Sequence, residues 1–338
     1  MIQHHDFDLS QVTTFHIPAT ARLYAEYESI DELRELLFSP MYLEMEHLHI
    51  GGGSNLLFTS PFDGVVMHSA IKHIETVRTD GDNVYLKMSA GVCWDDFVKY
   101  CVDNDLYGAE NLSYIPGEAG ASAVQNVGAY GVEAKDIISE VHTIDSLTGK
   151  EKIFSREDCD YGYRHSIFKS PGFSGRYIIT HVVYRLSTEK HFTLEYGPLK
   201  ELAAENDVNL RKVRERIIEI RRNKLPEPDE LGSAGSFFKN PVITPEKLRQ
   251  LKADYPELPS YPAPDGVKIP AAWLIENTGM KGKSIGGAQV YTRQCLVIVN
   301  TGNATAADVV ALYEEIKEKV AARFGITLSP EVNIIGKL

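Results

Sequence analysis

Between Asn111 and Val132 the chain reads NLSYIPGEAGASAVQNVGAYGV, a run dense in glycine, alanine and serine whose one charge is Glu118. Small residues let a backbone approach a flat ligand closely, and neutral amides such as Gln125 and Asn126 suit the edge of a heterocycle better than charges do. Tight packing of a buried turn also uses small residues, but it does not call for so many polar groups in an uncharged run. The run therefore favours a fold that wraps a large planar cofactor, with a tightly packed turn as the alternative.

A second cluster, Gly51-Gly52-Gly53-Ser54-Asn55, follows a strand signal at Leu48-His49-Ile50. Unhindered N–H groups there can nest an anion while Ser54 and Asn55 donate to a diphosphate; three successive glycines lose more entropy on ordering than a bare turn requires. Leu56 stands where a dinucleotide fingerprint needs its third glycine, so a Rossmann fold loses support. Other near matches fail too. Gly120-Ala121-Ser122-Ala123-Val124 ends in valine where a nucleophile elbow needs glycine, and Gly282-Lys283-Ser284 has Asn277 at the first glycine of a phosphate loop. His47 and His49 share a strand face without a third ligand, so no metal is expected.

The chain has 338 residues, and at about 150 residues per domain this points to roughly two or three domains. With 35 Lys and Arg against 47 Asp and Glu, the formal charge of −12 argues against a nucleic-acid partner or an anionic membrane surface. No apolar run is long enough to span a membrane, and the start MIQHHDFDLS lacks the pattern of a secretory signal. Cys93, Cys101, Cys159 and Cys295 form no CxxC pair and read as reduced thiols. A cytoplasmic protein is expected.

Ser29 opens a capping box for a short helix with Leu33, Leu36 and Leu37 on one side, stopped by Ser39-Pro40. Short apolar runs at Val84–Met88, Val141–Asp145 and Tyr177–Val183 read as strands, with one helix between them from about Trp94 to Asn104. A helical pattern from Leu210 to Asn223 ends before Pro226, where a domain junction is placed. Its basic run reads as a solvated face, except for Lys224, which sits at the helix end beside a Pro-rich loop. Two further helices, Ala271–Glu276 and one opened by Thr305 and closed by Gly325, precede a final strand Glu331–Ile335.

Three more segments set one polar group among glycine, aromatic or proline residues: YGYRHSIFK with Arg164, GSAGSFFKNP with Ser236, and SPEVN with Glu331. Taken singly, Arg164 reads equally as an ion-pair partner, Ser236 as a turn hydroxyl and Glu331 as a solvent-facing carboxylate.

Together with GGGSN, IPG…QNVGAYG, KLPEP, AAWLIENTGMKG, IGGAQV and PEVNIIG, in this order from about Thr14 to Gly336, these segments resemble the UDP-N-acetylenolpyruvoylglucosamine reductases of bacterial cell-wall synthesis. The resemblance implies an α+β, vanillyl-alcohol-oxidase-like (PCMH-type) FAD-binding domain of two α+β subdomains, 1–68 and 69–222. A C-terminal α+β substrate-binding domain would follow over 223–325, and the closing segment 326–338 would rejoin the first subdomain. FAD would be held by Gly51, Gly52, Gly53, Ser54 and Asn55, by Ile115, Pro116, Gly117, Gly120, Ala121 and Ser122, and by Gln125, Asn126, Gly128, Ala129, Tyr130 and Gly131. The loop around Tyr196 is similar to that of the longer family type and would close over the substrate diphosphate. Tyr163, Lys224, Asn240, Tyr261, Lys281 and Gln294 would contact substrate or NADPH.

By the same resemblance, a hydride from NADPH would pass through the flavin to the vinyl carbon of the UDP-sugar enolpyruvyl ether, leaving an enediolate. Arg164 would bind the carboxylate, Glu331, protonated in a low-dielectric pocket, would donate to the same charge, and Ser236 would protonate the α carbon. A serine hydroxyl is a weak acid and suits this role because the enediolate is strongly basic. Glu118 and Ala119 depart from the expected pattern beside the cofactor. The rival readings are an FAD-dependent oxidase on the same fold and a non-catalytic UDP-sugar-binding sensor.

Overall fold

The structure is a computed structural model that describes residues 1–337; Leu338, the last residue of the closing segment expected at 326–338, lies outside the described residues. The chain forms two compact units, one of residues 1–7, 21–52 and 63–222, the other of residues 8–20, 53–62 and 223–338.

In the first unit, strands β1 (Ile2–Asp8), β2 (Thr20–Tyr27), β3 (Glu46–Ile50) and β4 (Phe62–Ser69) form a sheet in the order β1-β2-β4-β3, with β3 and β4 parallel. Alternate residues Ala21, Leu23, Ala25 and Tyr27 of β2 turn inward, as the period of two requires. Helix α1 (Ile30–Leu37) covers that face with Leu33, Leu36 and Leu37. Ser29 caps it by accepting from Glu32 N at 3.1 Å, while the Glu32 carboxylate accepts from Glu28 N, so the expected box closes one residue early. Pro40 does stop α1, but it also starts a five-residue helix capped by Ser39.

A second, antiparallel sheet contains β5 (Ile74–Asp80), β6 (Asn83–Ser89), β7 (Ile138–Asp145), β8 (Glu151–Ser155) and β9 (Tyr177–Ser187), in the order β8-β7-β9-β6-β5. The middle strand β9 is buried along most of its length because helices α2 (Trp94–Asp103) and α3 (Ala119–Gln125) pack on it. Tyr184 takes the Phe97 ring at 4.6 Å and the Trp94 ring edge-on at 5.7 Å. Helix α4 (Leu210–Lys224) packs Val213, Ile217 and Ile220 against Leu199 and Leu202.

In the second unit, β10 (Gly232–Ser236), helix α5 (Pro245–Asp254), helix α6 (Ala271–Asn277), β11 (Ser284–Ile285), β12 (Ala288–Val290), β13 (Val297–Asn300) and helix α7 (Ala306–Phe324) enclose one apolar core. The sheet order is β10-β13-β12-β11. The Thr305–Asp308 capping box is complete, with reciprocal bonds of 2.9 and 3.1 Å, and α7 ends at Gly325 in the left-handed conformation. The final strand is shorter than expected: β14 (Asn333–Ile335) pairs parallel with Leu56–Phe58, and Glu331 is left outside the ladder. Among the described residues no helix is long and apolar enough to cross a membrane.

Candidate functional site

The uncharged run is pinned along its backbone to the segment between β6 and α2. Trp94 N donates to Gly117 O, Ala119 N to Val92 O and Gly120 N to Ala90 O, each at 3.0 Å. A Cβ on Gly120 would stand 2.9 Å from that of Ala90, so glycine there answers a packing demand. Ser122 is buried, its hydroxyl 2.7 Å from both Ala119 O and the Tyr184 hydroxyl. Tyr114, at φ 60°, is held from both sides: its N–H donates to Asp95 Oδ1 and its carbonyl accepts from Arg221 Nε at 2.8 Å. Ile115 rests half-buried on the core, and Pro116 is exposed.

Gly51 and Gly52, directly after β3, lie against this run. A Cβ on Gly51 would be 3.2 Å from Ala121 Cβ, and one on Gly52 3.5 Å from Gly117 Cα. At Gly117 and Ala121 the facing segment offers only hydrogen or methyl, while the Glu118 side chain lies 3.4 to 3.7 Å from both positions. One histidine serves two carboxylates in this region. His68 on β4 places Nε2 2.9 Å from Glu118 Oε1 and Nδ1 2.9 Å from Glu26 Oε2, and the Tyr24 hydroxyl donates to the same Glu26 oxygen at 3.2 Å. Burial works against the imidazolium, but the two carboxylates outweigh it and raise the His68 pKa. Its neighbour His49, half-buried and bonded to the Tyr27 hydroxyl at 2.8 Å, is driven down to about 3 by desolvation of its ring. His47 stacks on Tyr42 at 4.0 Å, and among the described residues no group of three His, Cys, Asp or Glu side chains could hold a metal.

At the far end of α3, Asn126 takes a left-handed conformation and buries its side chain. Its amide donates to Gly162 O at 2.9 Å and Glu133 Oε2 at 3.0 Å, and its carbonyl accepts from Lys135 N at 3.0 Å. Lys169 Nζ donates to Gln125 Oε1 at 2.9 Å. Gly128 and Ala129 pair with Glu133 and Val132 across a tight hairpin whose turn holds Tyr130 at φ 49° and Gly131. Arg164, at φ 54°, occupies the turn between Gly162 and His165. Its guanidinium donates to Asn126 O at 3.4 Å and Gly128 O at 3.1 Å and lies 5.6 Å from the centre of the exposed Tyr163 ring. The first unit thus brings Arg164 and Tyr163 to the edge of the glycine-rich run.

Within the second unit, β10 shifts register between Ser233 and Ser236, with Gly235 in the bulge. Buried Phe237 and Phe238 anchor the exit of the strand. Phe237 N donates to Leu296 O at 2.7 Å, Glu331 N to Phe237 O at 2.8 Å and Lys239 N to Ser329 O at 3.0 Å, which sets the Glu331 segment beside Ser236. Asn55 reinforces this edge, donating to Glu331 O at 3.2 Å and accepting from Asn333 N at 3.0 Å. Gly53, at φ +61°, is sterically obligatory: a Cβ would lie 2.0 Å from Val12 O. Ser54 is half-buried between them.

Of the other expected contacts, Tyr196 is exposed at the start of a 3₁₀ stretch, Gly197–Ala204. Lys224 is exposed at the end of α4, and Tyr261 is exposed on a short strand. Asn240 Oδ1 accepts from Ala271 N at 2.9 Å and so secures the start of α6. Lys281 pairs with Glu276 at 2.7 Å, and Gln294 Oε1 accepts from Leu296 N at 3.3 Å. The solvated-face reading of α4 holds for Arg211 and Arg222, which are exposed, and fails at Arg214 and Arg221. Arg214 forks onto Asp95 at 2.6 and 2.7 Å with its side chain 12% exposed, and Arg221 bonds Tyr114 and Tyr130. Although burial raises the Asp95 pKa, the bonds from Arg214 and Tyr114 N more than offset it, and the carboxyl is held below its usual range. The i, i+7 spacing of Arg214 and Arg221, two turns on one helix face, is the signal that could have found them.

Residues 21–154 match the model of a family described as FAD binding domain, and residues 227–335 match that described as UDP-N-acetylenolpyruvoylglucosamine reductase, C-terminal domain. A Bacteroides fragilis protein named UDP-N-acetylenolpyruvoylglucosamine reductase is 48% identical over 97% of this chain and 99% of its own. A Neisseria gonorrhoeae protein of the same name is 45% identical over 96% and 95%. The crystal structure of the UDP-N-acetylenolpyruvylglucosamine reductase from Thermus caldophilus superposes with a TM-score of 0.68 at 23% identity, covering 98% of each chain.

Proposed function

The chain belongs to the UDP-N-acetylenolpyruvoylglucosamine reductase family of FAD-dependent oxidoreductases, and from that premise we propose that it forms UDP-N-acetylmuramate. The substrate is the enolpyruvyl ether of UDP-N-acetylglucosamine, the reductant is NADPH, and the reaction serves peptidoglycan precursor synthesis in the cytoplasm. Residues 1–68 and 69–222 are read as the cofactor-holding part and 223–325 as the substrate part.

The residues present fit FAD. Gly51, Gly52, Gly117 and Ala121 offer side-chain-poor, half-buried backbone, and the adjacent carboxylate of Glu118 is engaged by the His68 ring. Ser122 and Asn126, also expected at the cofactor, use their side chains to hold the run in shape, so their contribution to FAD comes through the backbone they fix. Bound there, FAD supplies hydride transfer from NADPH to the vinyl carbon of the substrate.

The rest is work for side chains. Arg164 presents a cationic fork to the substrate carboxylate and is pre-organised by its bonds to Asn126 O and Gly128 O. Glu331 is assigned to a hydrogen bond with the charge that builds on that carboxylate, and Ser236 to delivery of a proton to the α carbon. The reading rests most on one observation, the pairing of 237–239 with 329–331 that holds Ser236 and Glu331 on neighbouring segments. Tyr196 closes over the substrate diphosphate, while Tyr163, Lys224, Asn240, Tyr261, Lys281 and Gln294 contact substrate or NADPH.

An anaerobic visible spectrum tests the reading. The yellow protein should bleach with NADPH and recover its colour on addition of the enolpyruvyl sugar nucleotide. Reoxidation by air alone would favour an oxidase, and a protein that cannot be loaded with FAD would favour a binder.

A further inference from the structure

Glu118 presents a difficulty for the cofactor reading. Its carboxylate oxygens stand 3.4 and 3.7 Å from where side chains on Gly51 and Gly52 would begin, so an anion nested on that backbone would meet a negative charge. The structure supplies the remedy from the next strand. Ile50, which leads into Gly51, pairs in register with His68, and the His68 ring bridges Glu118 and Glu26 with 2.9 Å contacts at both nitrogens. A ring facing carboxylate oxygens at both nitrogens can donate to both only as imidazolium. The side chains of His68, Glu118 and Glu26 are 15%, 13% and 27% exposed, so solvent screens the cluster poorly.

We propose that His68 is a positioning residue of the cofactor site, whose positive charge cancels that of Glu118 so that Gly51 and Gly52 can receive the anionic part of FAD. The proposal rests on the reading that this backbone holds FAD. The groups facing His68 are Glu26 of β2, reached also by the Tyr24 hydroxyl, Glu118 ahead of α3, and His49 of β3, itself held neutral by burial and bonded to Tyr27. Because the carboxylates raise the pKa of His68 in the folded chain, its charge is complete below the ordinary imidazole value and is lost as pH rises through the folded value. FAD binding should weaken in that same direction.

The test is FAD titration of flavin-stripped full-length protein by fluorescence quenching from about pH 6 to about pH 9, with thermal melting of each apoprotein alongside. Wild type should bind on the order of tenfold more weakly at the alkaline end. His68→Gln should bind about tenfold more weakly than wild type at the acid end, with a flattened profile. The deciding variant is His68→Gln/Glu118→Gln, which removes both charges and should regain wild-type affinity. If the double variant binds no better than His68→Gln, or if His68→Gln binds like wild type, charge cancellation is refuted. Gly52→Ala tells this apart from failure of the underlying reading. Its methyl has ordinary 3.5 Å contacts, so the fold tolerates it, but it intrudes on the backbone surface. Lost FAD affinity in Gly52→Ala beside an unaffected His68→Gln leaves the loop reading standing and overturns the proposal; unchanged affinity in Gly52→Ala overturns both.

Discussion

The glycine-rich run of the first unit and the Ser236–Glu331 edge of the second are built on opposite principles. The run is fixed through main chain and buried amide bonds, with Asn126, Ser122 and the 90–94 segment setting its shape. The edge is set by strand register, with a bulge and two buried phenylalanines leaving half-buried Ser236 and Glu331 on adjoining segments. A surface made of backbone is robust to side-chain exchange and fragile to added volume. An edge that displays side-chain groups is, on the proposed function, the reverse: one atom removed should leave the fold intact and the chemistry damaged.

Four changes press on that contrast. Ser236→Ala should lower product formation by about 10²- to 10⁴-fold, the usual worth of a positioned proton donor, while the rate of flavin bleaching by NADPH is unchanged. Equal loss in both half-reactions would place the serine in cofactor binding instead. Arg164→Lys keeps a cation but loses the fork; reoxidation by substrate should slow by about 10- to 100-fold in stopped flow, again without loss of FAD. Gly53→Ala forces a methyl onto Val12 O from a left-handed residue, so the loss should be in folding, read as a melting temperature lowered by several degrees and weaker FAD retention. Asp95→Asn should destabilise the apoprotein by about 1 to 2 kcal/mol, since both partners retain some solvent. That stabilisation belongs to the carboxylate, because the folded pKa is depressed. It is present above the ordinary carboxyl range and disappears as pH falls through the folded value, so wild type and variant should converge in acid.

The α+β, vanillyl-alcohol-oxidase-like fold expected from the motifs holds, and local rules account for its clearest elements. Caps at Ser29 and Thr305 and apolar spacing located α1 and α7, because there local preference and tertiary packing agree. Helix α3 is not legible in the sequence, since an Ala-Gly-Ala-Ser stretch has no apolar period; the helix exists because Ala119 and Gly120 are tied to β6's exit and Ser122 to Tyr184. Glu331 was expected inside the last strand, but its amide is drawn off by Phe237 O. The half-buried partners Asp95, Arg214, Arg221 and His68 leave little trace in the sequence, because a charge reads as solvent-facing until its counter-charge, distant in sequence, is known.

Tyr114, Asn126, Tyr130 and Arg164 all hold left-handed backbone without being glycine; the first three lie within the same run and Arg164 bonds to it. Outside glycine and asparagine such residues pay about 1 kcal/mol or more each, so natural variation or laboratory selection for heat resistance alone would drift toward glycine at 114, 130 and 164. Glycine at 164 would relieve that strain but remove the guanidinium that bonds Asn126 O and Gly128 O, so on the proposed reading durability and turnover pull this one turn in opposite directions.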